Sequence, residues 1–375
     1  MRIGVPKEIR DGEKRVALVP DIINKLTRLG YEVAIQSGAG DTSQATDADF
    51  TSAGAVIVKG DVLKESDVIL SVQPLSPAQM STLKKGAVTI SFLSPVSAVD
   101  SIEAAVTAGV SAFSLELVPR ISRAQSMDAL TSQALCAGYR AALVGAELSP
   151  RFFPLLMTAA GTVTPAQVLV LGAGVAGLQA IATARRLGAV VSAYDVRPSS
   201  ADEVKSMGAT FIELELESLE GAGGYAREMT EERAAKQREL LTPFIAKSHV
   251  VITTAAVPGR TAPRLMTQAM IDSMAPGTII VDLAAETGGN VEGSQPGEIV
   301  TTSGGVRIWG GKDVPSQLPF HASFLYSRNV VNLLTLLTTP KDEENALALN
   351  LNFDDEIIDG SAVTHAGVRR TGGAK

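Results

Sequence analysis

Three glycines in the run Gly172-Ala173-Gly174-Val175-Ala176-Gly177 stand between the apolar stretch QVLVL and the sequence LQAIATARRLG. That spacing predicts a strand, a tight turn and a helix. Gly172 turns the chain, Gly174 lets a pyrophosphate approach the backbone, and Gly177 admits close packing of helix on strand. The exposed amides and the dipole at the start of that helix supply an anion site. Asp195 ends the next apolar run, where a carboxylate can accept hydrogen bonds from both hydroxyls of an adenosine ribose. The same charge would repel a 2′-phosphate, so NAD is expected in preference to NADP. Arg197 bears on that choice, because an arginine here can meet such a phosphate, pair with Asp195 or stack over adenine.

A second polar group, Arg120, Arg123, Gln125, Ser126, Asp128 and Thr131, falls where a first domain gives way to a second. In two-domain dehydrogenases the nicotinamide lies in the cleft at such a place. An arginine and an amide can bind its carboxamide, and Asp128 can stay ionised beside a ring that is cationic when oxidised. The segment SRAQSMD reads equally as the N-cap of a helix, with Asp128 stabilising the first turn.

Other chemistries find little support. Cys136 is the single cysteine, and the three histidines, His249, His321 and His365, are far apart in sequence, so no metal site is expected. A net charge of −7, from 33 basic and 40 acidic residues, argues against nucleic acid as a partner. The start MRIGVPKEI lacks the apolar core and cleavage site of a signal peptide, and Val330 to Leu337 is too short to cross a bilayer. A cytoplasmic chain with no membrane span of its own is expected.

The elements that must position these residues follow from periodicity. The chain has 375 residues, 45% hydrophobic and 19% charged, enough for two domains with cores. Short apolar strands are predicted at Arg2 to Val5, Glu32 to Gln36, Val56 to Val58, Val68 to Val72, Val88 to Phe92 and Ser111 to Leu115, alternating with helical stretches. A long helix is predicted from about Asp128 to Leu143. Further strands are expected at Gln167 to Leu171, Val190 to Asp195, Thr210 to Ile212, Val250 to Thr254, Thr278 to Leu283 and Val306 to Trp309. The polar stretch Gly221 to Gln237 reads as a long solvated loop or hairpin. An apolar helix after Pro315 is expected to pack back on the first domain, followed by a strand–turn–strand at Leu349 to Val363. The fold class is therefore α/β: two Rossmann-like domains with parallel sheets separated by a cleft. The expected division is 1–127 plus 311–375 for the N-terminal domain, completed by the C-terminal segment, and 128–310 for the NAD(H)-binding domain.

The motifs GVPKEIRDGEKRVALVP, LVPRISRAQSMD, MTAAGTVTPAQVLVLGAGVAGLQAIATARRLGAVVSAYDVR, GGYAREM and ITTAAVPGR together resemble the NAD-binding alpha subunits, domain I, of proton-translocating NAD(P) transhydrogenases, in the alanine dehydrogenase/transhydrogenase family. The resemblance covers nearly the whole chain. It implies that Arg120 and Asp128 hold the nicotinamide and its carboxamide, that Gln125 bridges to an incoming NADP nicotinamide, and that Thr131 stands where the family usually has a serine. Gly174 and Val175 would meet pyrophosphate and ribose, Asp195, Val196 and Arg197 the adenosine, and Gln237 and Ala256 the cofactor edge. Tyr225 looks like the tip of a lid hinged at Gly223 and Gly224. The resemblance also implies direct hydride exchange between NAD(H) here and NADP(H) on a partner subunit, coupled to proton translocation through a membrane proton-channel subunit. A homodimer held peripherally at the inner membrane by its partners is implied too, with contacts from the helix Asn329 to Leu337 or the Leu349 to Val363 segment.

The alternative is an alanine dehydrogenase-like NAD-dependent amino-acid dehydrogenase. That branch binds pyruvate with an arginine near the amino terminus and a lysine, and uses a histidine as acid or base. Arg15 is present, but Gln73 stands where the lysine belongs and Ser94 where the histidine belongs. A glutamine offers no cation to a keto acid, and a serine without a base cannot shuttle a proton near neutral pH.

Overall fold

Strands buried on both faces of a parallel sheet read as continuous apolar runs, and the short runs of this chain behave that way. The computed structural model describes residues 1–216, 230–257, 259–340 and 347–370. The chain forms two compact units, Met1–Gln133 with Ser316–Lys375, and Ala134–Pro315.

In the first unit six parallel strands lie in the order Val56–Val58, Glu32–Gln36, Arg2–Val5, Val68–Leu70, Val88–Ser91, Ser111–Ser114. The last three are buried along their whole length. In the second unit the order is Thr210–Phe211, Val190–Tyr194, Gln167–Leu171, Val250–Thr253, Ile279–Asp282, Arg307–Gly310, with Ile299–Thr301 as an antiparallel edge. Both are doubly wound sheets whose order reverses beside the first strand, the place where such folds open a crevice.

The helix Pro319–Leu336 belongs to the core of the first unit, with Tyr326, Val330, Val331, Leu333 and Leu334 fully buried. Its apolar face is thus consumed internally, which removes it as a source of dimer contacts. Leu349 to Val363 is not a strand–turn–strand. Leu347–Leu349 pairs with Thr338–Pro340, and Glu356–Ser361 is a helix because the Asp355 carboxylate accepts its first amides, from Ile357 and Ile358. The stretch 230–237 is helical as well, the start of Glu231–Lys247. Thr230 caps it, Glu231 and Glu232 favour its N-terminal dipole, and burial is confined to Gln237, Leu241 and Ile245, a stripe too thin to read in the sequence. Among the described residues no helix is long and apolar enough to cross a membrane.

If Pro319–Leu336 completes the first core, Leu334→Ala leaves a cavity there and lowers stability by about 2–5 kcal/mol. Urea unfolding should show that loss; an unchanged midpoint would contradict the placement of this helix.

Candidate functional site

The glycine turn of the second unit has three different constraints at its three glycines. Gly172 has φ +101°, a conformation that L side chains rarely adopt, and its carbonyl accepts the Thr254 hydroxyl at 3.0 Å. At Gly177 a Cβ would lie 1.9 Å from the Gly172 carbonyl oxygen, so the helix Val175–Arg186 can come this close only without a side chain. At Gly174 a Cβ would meet nothing within 4 Å. Gly174 is also the N-cap and brings no side-chain hydrogen bond to the first turn. An open approach to a helix start with no side-chain cap fits a pyrophosphate.

Asp195, just past the strand Val190–Tyr194, is tied to that turn. One carboxylate oxygen accepts the Ala173 N–H at 2.7 Å, and the other accepts the Arg197 N–H at 2.9 Å. The Arg197 guanidinium closes on both oxygens, at 2.9 and 3.1 Å. Of the three placements open to Arg197, the structure takes the pairing with Asp195. Ribose hydroxyls reaching this carboxylate therefore compete with a guanidinium already on it. Val196 is partly buried against the adjoining core. Gln237, 2% exposed, accepts the Tyr194 hydroxyl at 3.1 Å, and burial pushes that phenol up to about 12. Ala256 is exposed on the loop after Val250–Thr253. Gly223, Gly224 and Tyr225 lie outside the described residues.

In the first unit the polar group sits on a 3-10 turn, Ser122–Met127. Ala124 and Met127 are buried and anchor it, leaving Arg123, Gln125 and Ser126 exposed, with Arg120 exposed just before it. Asn329 and Asn332 both donate to the Ser126 carbonyl, at 2.9 and 3.0 Å. Asp128 accepts the Thr131 N–H at 2.8 Å and the Thr131 hydroxyl at 2.7 Å, so it caps the helix Ala129–Leu148. Arg123 makes two bonds to Asp355, at 2.6 and 3.1 Å, and so ties the turn to the cap of Glu356–Ser361.

A buried network that the sequence does not announce lies in the same unit. The Arg15 guanidinium donates to both oxygens of Glu13, at 2.7 and 2.6 Å, and to Gln133 Oε1 at 2.8 Å. Glu13 also accepts from Gln73 Nε2 at 2.7 Å and from the Ser316 hydroxyl at 2.5 Å. Burial alone would raise the Glu13 carboxyl, but the bonds and charge of Arg15 outweigh it and hold it at about 2. Glu8 lies beside this pair and accepts the Val72 and Gln73 N–H groups at 2.5 and 3.3 Å. Burial, with repulsion from Glu13, raises its carboxyl to about 7 against those two bonds. The Ser94 N–H donates to Glu116 at 3.0 Å.

Residues 4–137 match the Alanine dehydrogenase/PNT N-terminal domain, and residues 141–371 match the C-terminal domain of the same description. The chain belongs to the alanine dehydrogenase/PNT family. The first of the separate chains that make up the NAD(P) transhydrogenase alpha subunit of Rhodospirillum rubrum is 45% identical to it over 377 residues, covering 98% of this chain and 97% of that one. An alanine dehydrogenase of Mycobacterium tuberculosis is 33% identical over 301 residues, 79% of this chain and 76% of its own. The crystal structure of transhydrogenase from Sinorhizobium meliloti matches with a TM-score of 0.85 and 42% identity, covering 98% of both chains. The family and the two Rossmann-like parallel sheets expected from the motifs are borne out.

Within the alanine dehydrogenase/PNT fold of this chain, two outcomes can be measured at the sites described. Gly174→Ala should keep the melting temperature and weaken NADH binding at least about tenfold in a calorimetric titration, because its methyl group occupies the open approach. Gly177→Ala should instead lose the fold or melt far earlier; normal melting there would refute the close-packing argument. The raised Glu8 carboxyl sets a pH dependence. A folded value of about 7 against an ordinary 4.5 means that its contribution is present below 4.5 and lost as pH rises through 7. Urea stability between pH 5 and 8 should therefore fall less in Glu8→Gln than in the wild type, and equal slopes would contradict the assignment.

Proposed function

We propose that this chain is the NAD(H)-binding catalytic subunit of a proton-translocating NAD(P) transhydrogenase. When bound, NAD(H) supplies the carbon that gives up or receives the hydride, in exchange with NADP(H) held by a partner subunit. Gly172, Ala173, Gly174, Val175 and Gly177 form the pyrophosphate cradle, and Asp195 accepts the adenosine ribose once Arg197 yields. Val196, Gln237 and Ala256 border that end. Arg120, Gln125, Asp128 and Thr131 are assigned to the nicotinamide end. There Asp128, fixed by Thr131, balances the ring's charge, and Gln125 reaches the second nucleotide. Arg123 serves by fixing the turn that carries Gln125. Gly224 and Tyr225 are assigned to a lid on the family resemblance alone.

The observation that carries this reading over amino-acid oxidation is the Glu13–Arg15 pair. A keto acid would need the guanidinium edge that Glu13 occupies with two bonds, while Gln133 takes the remaining side. Gln73, turned onto Glu13, brings no cation, and Ser94 brings no acid or base. Direct hydride exchange needs none of these groups, only orientation and exclusion of water. The R. rubrum relative is named as one portion of an alpha subunit, which supports an assembly whose proton-channel and NADP-binding subunits are separate chains. Peripheral attachment to the inner membrane through those partners follows. For a homodimer, the stretch from Leu135 to Met157 offers exposed apolar side chains, Phe152 at 60% and Met157 at 80% among them.

The test is nucleotide choice with substrate challenge. The purified chain should bind NADH at least about tenfold more tightly than NADPH, because Asp195 repels the 2′-phosphate. It should leave NADH unoxidised in the presence of pyruvate and ammonium. Equal affinities would show Arg197 welcoming the phosphate, and turnover with pyruvate would return the chain to the amino-acid dehydrogenases.

A further inference from the structure

The nucleotide crevice of the second unit opens where strand order reverses, between Gln167–Leu171 and Val250–Thr253. Asp195 follows Val190–Tyr194, on one side of the glycine turn. On the other side stands the loop that follows Val250–Thr253, running from Thr254 to Pro263 through Ala256. Such a loop has no ladder of its own, and its backbone groups need partners. Thr254 rests on the turn, its hydroxyl on the Gly172 carbonyl at 3.0 Å. The next residue, Ala255, is held by a side chain from elsewhere in the unit.

That side chain is Asn290, which is fully buried. Its amide nitrogen donates to the carbonyls of Ala255 and Pro263, both at 2.8 Å, and its amide oxygen accepts the Ala255 N–H at 3.1 Å. One carboxamide thus pairs with both backbone groups of Ala255, as a neighbouring strand would, and clasps the far end of the loop as well. Asn290 is itself immobilised. Its N–H donates to Asp282, which is fully buried and also accepts the Thr253 hydroxyl and the N–H groups of Ala284 and Val291. The Asn290 carbonyl accepts the Leu265 and Met266 N–H groups at 2.8 and 3.0 Å. Gly289, at φ +76°, turns the chain so closely over Asp282 that a Cβ there would come within 2.9 Å of the carboxylate.

We propose that Asn290 is a positioning residue for nucleotide binding, holding the Thr254–Pro263 loop as the preformed wall that meets the half of the dinucleotide beyond the pyrophosphate. The inference rests on the assignment of NAD(H) to this crevice. No side chain of the loop needs to reach the ligand for the effect, because what Asn290 fixes is where the loop backbone lies. Asn290→Asp keeps the shape, removes both N–H donors and sets an oxygen against two carbonyls. Asn290→Ser keeps one donor and shortens the reach.

The two halves of the ligand separate this role from general support. NADH and 5′-AMP are titrated by calorimetry into the full chain, as wild type, Asn290→Asp and Asn290→Ser, at a temperature where each is folded by circular dichroism. The expected result is NADH binding weakened about tenfold in both variants while AMP, which engages only the Asp195 side, stays within about twofold. Unchanged NADH affinity overturns the proposal, and so does a parallel loss for both ligands, which marks a merely structural residue. A wild type that binds neither ligand overturns the NAD(H) assignment itself. Should both variants fail to fold, amide exchange on the wild type decides. The Ala255 N–H should be as protected without NADH as with it, whereas protection that appears only on adding NADH means the ligand, not Asn290, fixes the loop.

Discussion

The helix Val175–Arg186 approaches its own turn so closely that residue 177 has no room for a side chain, and the nucleotide site depends on that one contact. It aims the helix start into the crevice beside the strand reversal. It also brings the Ala173 N–H onto Asp195, so the acid and the turn form one rigid piece. The loop at Thr254 closes on the same carbonyl from the opposite side. Room at Gly174 is what remains when the other two positions are filled to the limit. The site is thus defined by where atoms are missing as much as by where charges stand.

The first unit solves a different problem, the burial of charge. Moving Arg15 and Glu13 out of water is costly, and their attraction offsets this only with every lone pair and donor engaged. Gln73, Gln133 and Ser316 complete that set around the pair. The result is rigid and chemically quiet: the cation that a keto acid would need is already neutralised. Glu8, pushed toward neutrality beside it, is the one carboxyl of this cluster poised to change charge near physiological pH. An arrangement that takes protons and carboxylates out of play suits a reaction in which the carbon centres neither gain nor lose a proton.

The legible parts of the sequence were those governed by local rules. Apolar runs of four or five residues marked the strands of both sheets, and the three glycines marked the turn, because each glycine answers a constraint set within a few residues. Asp195 was legible by its place after the next strand, yet its partner was not, since three placements of Arg197 satisfy the same sequence. Asp128 carried two readings, and its bonds to Thr131 realise the helix cap. Pairs that the fold assembles from distant positions left no trace: Glu13 with Gln73 and Ser316, Arg123 with Asp355, and Asn290 with Ala255. The helix Glu231–Lys247 was read as a loop over its first residues because little of it is buried, so stability there rests on a cap and charges, not on an apolar stripe.

Direct hydride exchange is the central claim, and isotope transfer tests it most directly. The chain is combined with its NADP-binding partner and given NADH carrying deuterium at the transferable C4 position, together with NADP⁺, in ordinary water. The deuterium should appear in NADPH undiluted, because no side chain takes up and returns it. Loss of label to solvent, or NADH oxidation by this chain with pyruvate and ammonium in the absence of the partner, would contradict direct exchange.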